Sequence, residues 1–432
     1  MAQNPGNGSG DVSGLSSSPD ELLQAVQERG DESMETGRYV ISFRVDAEDG
    51  GVQALRSQGC NVISARDFGD QAVTLEDIGD SDALVLPEVG CAVVSGNALQ
   101  AHELLAQVES ADSPIETVEP EYFAFSESDV DYLRGFNRAA EVIADDLRMN
   151  GGRELVMEDE IVAQVAGATW GLVACKVPPS TRGGAGIRVA VLDTGMDFGH
   201  PDFKGREFVS NTFVGQPVQD LHSHGTHCVG TACGPKAPVG AIQRYGIAYR
   251  APIFVGKVLS NAGSGTTGSI LAGIDWALAN RCVVISMSLG APTPVQAAYT
   301  TAGERALRRG ALIVAAAGNH GPLFTGAPAN SPTIMSVASL DTNLTPSSFS
   351  AIGKVEIAAP GRDVFSSVPR PSLHGTKSGT SMATPHVAGC AALWAESDVN
   401  LRGAKLWKRL EETAKRLPFP ASRVGAGLVQ AP

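Results

Sequence analysis

The sequence predicts an α/β chain: a parallel sheet with helices on both faces over residues 166–432, preceded by a small α+β domain over 36–126. Three observations predict it. Apolar runs at Arg188–Gly195, Val283–Gly290 and Ala311–Asn319 each end in small or polar residues, the pattern of strands buried on both faces of a parallel sheet. Apolar stretches of helical length lie around Ile270–Leu278 and from Gly379-Thr380-Ser381 onward. The region before residue 126 instead has short alternating stretches interleaved with two helical ones.

Taken in order, residues 1–35 are rich in Gly, Ser, Asp and Glu and have little apolar periodicity, so a disordered segment is expected. Tyr39–Val45 alternates as a strand and Gly51–Ser57 suits a helix. Val62–Phe68 and Ala83–Val94 suggest further strands, Asn97–Glu109 an amphipathic helix, and Ile115–Phe125 a closing strand. That βαββαβ order is the split βαβ, ferredoxin-like sandwich. Residues 127–165 fit neither domain: Val130–Met149 has helical spacing and heavy charge, Gly151-Gly152 breaks it, and a linker with a helix is expected.

Charge supports a two-part chain. The 432 residues carry a net charge of −14, yet 29 acidic and 8 basic residues precede Gly151, leaving 18 acidic and 25 basic after it. An acidic first part would be drawn to a basic body, with a salt-sensitive attraction; the simpler reading is a solvated acidic surface.

The chemistry-bearing residues lie in the larger domain. Ser381 sits where a turn opens into a helix, and the helix dipole and first-turn N–H groups favour an oxygen nucleophile and the oxyanion it generates. A serine there is by itself only a cap. However, Arg188–Gly195 delivers Asp193 at the C-terminal edge of a buried strand, where open α/β sheets keep their active sites. Between them lies His222-Ser223-His224-Gly225-Thr226-His227-Cys228. A serine hydroxyl needs a base to take its proton, and the base needs a carboxylate to hold its tautomer, so Asp193, His224 and Ser381 form a candidate catalytic set.

These segments, in the order Asp, His, Ser, resemble those of the subtilisin-like serine proteases, and His-Gly-Thr-His-Cys is similar to the proteinase K branch. The resemblance implies peptide-bond hydrolysis through an acyl-enzyme. It implies an oxyanion hole made by the Ser381 N–H and the side chain of Asn319. It also implies a substrate pocket walled by Ser288, Leu289 and Gly290 on one side and Ala316, Ala317 and Gly318 on the other, with Gly326 at its base. A glycine there would leave a deep, uncharged pocket preferring large apolar residues before the cut; the plainer reading is a turn glycine. Residues 36–126 resemble the family's inhibitory propeptide, with Val118-Glu119-Pro120-Glu121-Tyr122 most like its tail. Trp170-Gly171-Leu172 resembles the mature N-terminus and Gly425–Val429 the C-terminal end, and the propeptide cut falls after Phe125, within 126–165, or nowhere.

Other readings use the same residues. His222, His224, His227 and Cys228 could suggest zinc, but their spacing matches no common zinc pattern and leaves the other motifs unexplained, so no metal is expected. Asp193-Thr194-Gly195 resembles an aspartic-protease motif, which needs a second copy that the chain lacks. An inactive scaffold with the same fold is the non-enzyme alternative. No cofactor is expected to be required. The stretch Cys233–Ile242 lacks the family's Asn-rich calcium insertion, so calcium is not indicated.

Expected partners are protein or peptide substrates and the chain's own N-terminal domain as an intramolecular inhibitor, with neither nucleic acid nor membrane. No charged-then-apolar stretch follows Met1, and the seven cysteines cannot all pair. Free buried thiols in a cytoplasmic protein are expected, with leader removal or general degradation as the role and secretion by an unrecognised route as the alternative.

Overall fold

The computed structural model describes residues 14–28, 33–101, 113–126, 167–240 and 242–432. The larger domain is built on seven strands: β6 Val189–Asp193, β7 Phe208–Thr212, β8 Ile253–Lys257, β10 Val284–Met287, β12 Leu312–Ala316, β13 Met335–Leu340 and β14 Ile357–Pro360. They run in the order β14-β13-β12-β10-β6-β8-β7, and every neighbouring pair is parallel. The period-two alternation of the strands sends side chains to two separate cores. Val189, Val191, Val284, Leu312 and Val314 join one core with helices α6 (His224–Cys233) and α9 (Thr380–Ser397). Ala190, Leu192, Ile285, Met287, Ile313 and Ala315 join the other with α7 (Thr267–Ala279) and α8 (Ala297–Arg308). Strand order reverses at β6, which puts Asp193 at the switch point of the sheet, the usual binding crevice of such folds.

The smaller domain comprises β1 Glu35–Phe43, α2 Glu48–Ser57, β2 Val62–Ser64, α3 Leu75–Ile78, β3 Ala83–Leu86, β4 Cys91–Val94, α4 Gly96–Ala101 and β5 Ile115–Ser126. Its sheet runs β5-β1-β4-β3-β2. The stretch Ala83–Val94 divides into an antiparallel hairpin, with Gly90 at φ +67° in the turn, and supplies two strands of the sandwich. Val62–Phe68 yields only a three-residue edge strand, because Ser64 and Asp67 cap a tight turn that begins at Ala65. The helix expected over Asn97–Glu109 begins at Gly96 and is described to Ala101. The expected helix at Val130–Met149 and the whole 127–165 linker lie outside the described residues.

One expectation fails clearly. Within the segment read as disordered, Pro19–Glu28 forms a helix, α1, with Leu15, Leu22 and Val26 buried. The two domains meet through β5 of the smaller sheet. β5 pairs antiparallel with β9 (Ser264–Thr266) on one side and with β11 (Leu289–Gly290) on the other. Around that join, Glu119 accepts the N–H groups of Ala297 and Ala298 at the start of α8, at 3.0 and 2.7 Å. Glu121 accepts that of Gly268 at the start of α7, at 2.8 Å. Both carboxylates meet the positive end of a helix dipole.

Candidate active site

Asp193 ends β6 and His224 begins α6; both are buried, and His224 Nδ1–H donates to Asp193 Oδ1 at 2.7 Å. The Thr194 N–H donates to the same oxygen at 2.7 Å. The His224 Nδ1–H bond to Asp193 fixes the tautomer whose lone pair is on Nε2, the form that can act as a base. α6 is held in place by Asp220. Its Oδ1 accepts from His222 N, Ser223 N and Thr194 Oγ1, and its Oδ2 from Thr226 N and Thr226 Oγ1, all between 2.6 and 3.0 Å. Thr194 Oγ1 in turn accepts from Gly225 N at 2.9 Å, tying strand to helix. A Cβ at Gly225 would stand 2.3 Å from Gly195 O, so glycine is what lets α6 approach β6 this closely. Lys257 is fully buried beside this cluster and donates to Thr194 O and Asn261 Oδ1. Burial pulls its pKa down to about 8, opposed by Asp220 and Asp193.

Ser381 is the second residue of α9 and is buried. Its Oγ donates to Ser288 O at 3.1 Å, while Ser288 Oγ donates to Ser381 O at 2.8 Å. His224 Nε2 accepts no hydrogen bond among the described residues. The hydroxyl is thus turned onto the cleft wall; catalytic hydrogen bonds commonly tighten only in the reacting complex. Cys228, one turn along α6 from His224, bridges the two: its Sγ lies 3.9 Å from His224 Nδ1 and 3.7 Å from Ser381 O. Asn319 follows β12, and its Oδ1 accepts from Thr380 N and Thr380 Oγ1 at 2.8 and 2.9 Å. With its oxygen so engaged, the amide presents its NH₂ away from Thr380.

The residues expected to line the pocket lie on two connected segments. Ser288, Leu289 and Gly290 continue into Ala291, which exchanges both backbone bonds with Ala327 at 2.9 Å. Ala316 ends β12, Ala317 O accepts from Gly326 N at 3.2 Å, and Gly318 N donates to Thr380 Oγ1. Gly326 and Ala327 therefore link the walls. A Cβ at Gly326 would lie 2.4 Å from Ala291 O, which gives this glycine a close-packing reason as well. Into the cleft comes β5, with Ser126 opposite Leu289, Phe125 opposite Gly290 and Ser264, and Ala124 opposite Gly265. The Ser126 N–H donates to Gly263 O at 2.9 Å. The segment in the cleft is thus Phe123–Ser126, while Val118–Tyr122, read as the tail, pairs with β1 and caps two helices.

Residues 184–427, more than half the chain, match the sequence model of the subtilase family. The chain belongs to the subtilase family. It is 40% identical over 268 residues to Subtilisin Savinase of Lederbergia lenta, covering 61% of this chain and 96% of that protein. It is 38% identical over 294 residues to an alkaline protease of Alkalihalobacillus alcalophilus, covering 66% and 75%. Subtilisin NAT of Bacillus subtilis subsp. natto is 37% identical over 274 residues, covering 61% and 70%. This subtilase is accordingly a subtilisin-like serine endopeptidase acting on protein or peptide substrates.

The subtilase histidines divide by role. His227 points away from the site, its Nε2–H donating to Val364 O at 2.8 Å, and burial holds its pKa well below the usual value. A second grouping, His200, Asp202 and His374, is closed on itself. His200 Nδ1 accepts from Asp202 N and its Nε2–H donates to Leu373 O. His374 Nε2–H and Tyr245 O–H donate to Asp202 Oδ2, and Val239 N donates to its Oδ1. All seven cysteines are free and buried. Among the described residues, no helix is long and apolar enough to cross a membrane.

Motif reading missed Asp220, Thr194, Lys257 and Thr380. Only Asp220 left a trace, a carboxylate just before a helix start, which resembles an ordinary cap.

Proposed function

We propose that this subtilase is made as an autoinhibited proenzyme and hydrolyses peptide bonds with Asp193, His224 and Ser381. Ser381 Oγ swings from Ser288 O to His224 Nε2, gives up its proton there and attacks the scissile carbonyl. The Ser381 N–H and the Asn319 amide receive the oxyanion, and His224 returns the proton to the leaving amine. Water, activated by the same imidazole, then releases the acyl group. Asp193 holds the ring and stabilises its cation throughout. The pocket between Ser288–Gly290 and Ala316–Gly318, closed at Gly326, takes a large apolar side chain before the cut.

The single observation that carries the proenzyme reading is β5. It fills the cleft as a strand between β9 and β11, the way an extended peptide adds to exposed sheet edges. Ser126, opposite Leu289, lies one residue along the register from Ser288, whose carbonyl oxygen accepts from Ser381 Oγ. Residues 36–126 act as the intramolecular inhibitor, and the processing bond is one of the two that follow Ser126.

The test is a time course of purified wild type and Ser381→Ala, followed by intact mass and by hydrolysis of a peptide anilide with a large apolar residue before the cut. Wild type is expected to cut itself just past Ser126 and then gain activity, with Ser381→Ala staying whole and inactive. Two chains that both remain whole and inactive would overturn the reading.

A further inference from the structure

Nothing in the propeptide reading calls for the segment ahead of β1, yet residues 14–28 are bound at the cleft. Asp20, in the first turn of α1, has both carboxylate oxygens engaged by the catalytic domain. Its Oδ1 accepts from Ser260 Oγ at 2.7 Å and Ser264 Oγ at 2.6 Å; its Oδ2 accepts from Gln216 Nε2 at 3.0 Å. The donors are prepared for a carboxylate. Gln216 Oε1 is occupied by Asn261 N at 2.8 Å, which turns the amide NH₂ toward Asp20. Lys257, one turn away on the Asn261 side, adds a cation whose charge couples to Asp20.

The two serines belong to the tight turn Ser260–Ser264, closed by Ser260 N to Ser264 O at 2.7 Å. That turn holds the inhibitory strand: Gly263 O accepts Ser126 N, and Ser264 faces Phe125. Asp20 therefore clips one of the two edges that grip β5. The apolar face of α1 grips β5 itself, since Leu22 and Val26 bury with Phe123, and Leu23, Met34 and Phe125 pack around them. Arg38, which pairs with Glu121 at 2.5 Å, also donates to Leu15 O and Ser17 O at 3.3 and 3.4 Å, anchoring the start of the segment.

We infer that residues 14–28 are a second inhibitory element: a strap that locks the inhibitory strand in the cleft through a carboxylate site made by Ser260, Ser264 and Gln216. The inference rests on the proenzyme reading. The strap must leave before the Ser260–Ser264 turn can release β5, so it sets the pace of activation.

Two measurements test it. In Ser381→Ala, which cannot process itself, amide hydrogen exchange over 123–126 and 260–266 is compared with and without Asp20→Asn. Asn keeps an acceptor for the serines but sets NH₂ against NH₂ at Gln216, so exchange is expected to rise at least about tenfold. Unchanged exchange overturns the strap whether or not the chain is a protease. In the active background, Asp20→Asn and a chain lacking residues 1–30 are expected to shorten the activation half-time at least about threefold and tenfold, with the same cut and the same final activity. Equal half-times in chains that all activate would sink the strap and leave the proenzyme reading intact. A wild type that never activates, with exchange still raised by Asp20→Asn, would sink the proenzyme reading and keep the strap.

Discussion

Ser381, His224 and Asp193 are each positioned by different neighbours, and the consequences differ for each. Asn319 Oδ1 takes two bonds from Thr380, which aim the amide. Asn319→Ala should lower kcat about 10²–10³-fold, as loss of the corresponding donor does in subtilisin, with little change in KM. Steady-state kinetics on the processed enzyme check this. Asp220 carries more donors than any group at the site, so Asp220→Asn should both lower the melting temperature and reduce kcat. Replacing an acceptor by NH₂ against Thr226 N and Oγ1 costs about 1–3 kcal/mol and loosens the turn that begins with His224. A melting temperature and kcat that both stay at wild-type values would remove Asp220 from the positioning network. The candidate triad was legible because few residue types can do its chemistry and each sits at a strand or helix end. Asp220, Thr194 and Thr380 were not, because what matters in them is which atom faces which, and no spacing encodes that.

At the level of elements, the inhibitory sandwich meets the catalytic body through helix ends. Glu119 caps α8 and Glu121 caps α7, and Arg38 neutralises Glu121 in a buried pair. Arg38→Ala leaves that carboxylate buried with only hydroxyl and N–H partners, a loss of about 3–5 kcal/mol, whereas Arg38→Met with Glu121→Gln should cost far less. Thermal melts of the unprocessed Ser381→Ala chain carrying each change give the comparison; equal losses would mean that the pair acts only by packing. The sandwich could be read from the sequence because its strands are short apolar runs broken by turn residues, and α2 buries Gly51 and Leu55 at helical spacing. α1 escaped because its surroundings are polar and glycine-rich. Its own signal was present in Ser18-Pro19-Asp20-Glu21: Ser18 N donates to Glu21 Oε2 at 2.8 Å, Glu21 N donates to Ser18 Oγ, and proline stands at the first helical position. Composition over a wide window averaged that cap away. The strand at Val62–Phe68 stops short of its sequence pattern for the opposite reason, that pattern continuing past the turn that Ser64 and Asp67 impose.

Across the whole molecule, screening confines any attraction between the acidic first part and the basic body to about 8 Å at physiological salt. What the join adds locally is pH dependence. Asp275 of α7 is fully buried and accepts the N–H groups of Glu88 and Val89 from the sandwich, at 2.6 and 3.1 Å. Burial raises its pKa from 3.8 to about 7, with the nearby Glu88 charge adding to the rise and the two N–H bonds and Arg66 opposing it. Burial likewise raises Glu119, against its bonds to Ala297 and Ala298. A carboxyl whose pKa is higher in the closed proenzyme than in water takes up a proton on closing. The contribution of Asp275 to the closed form is thus full below about pH 4 and is lost as pH climbs from 4 to 7. Asp275→Asn keeps an oxygen for both N–H groups and removes the charge. The melting temperature of the Ser381→Ala/Asp275→Asn chain should therefore match that of Ser381→Ala near pH 4 and exceed it by a growing margin up to about pH 7, then hold level. A margin that stayed constant from pH 4 to 8 would show that Asp275 binds no proton when the sandwich closes.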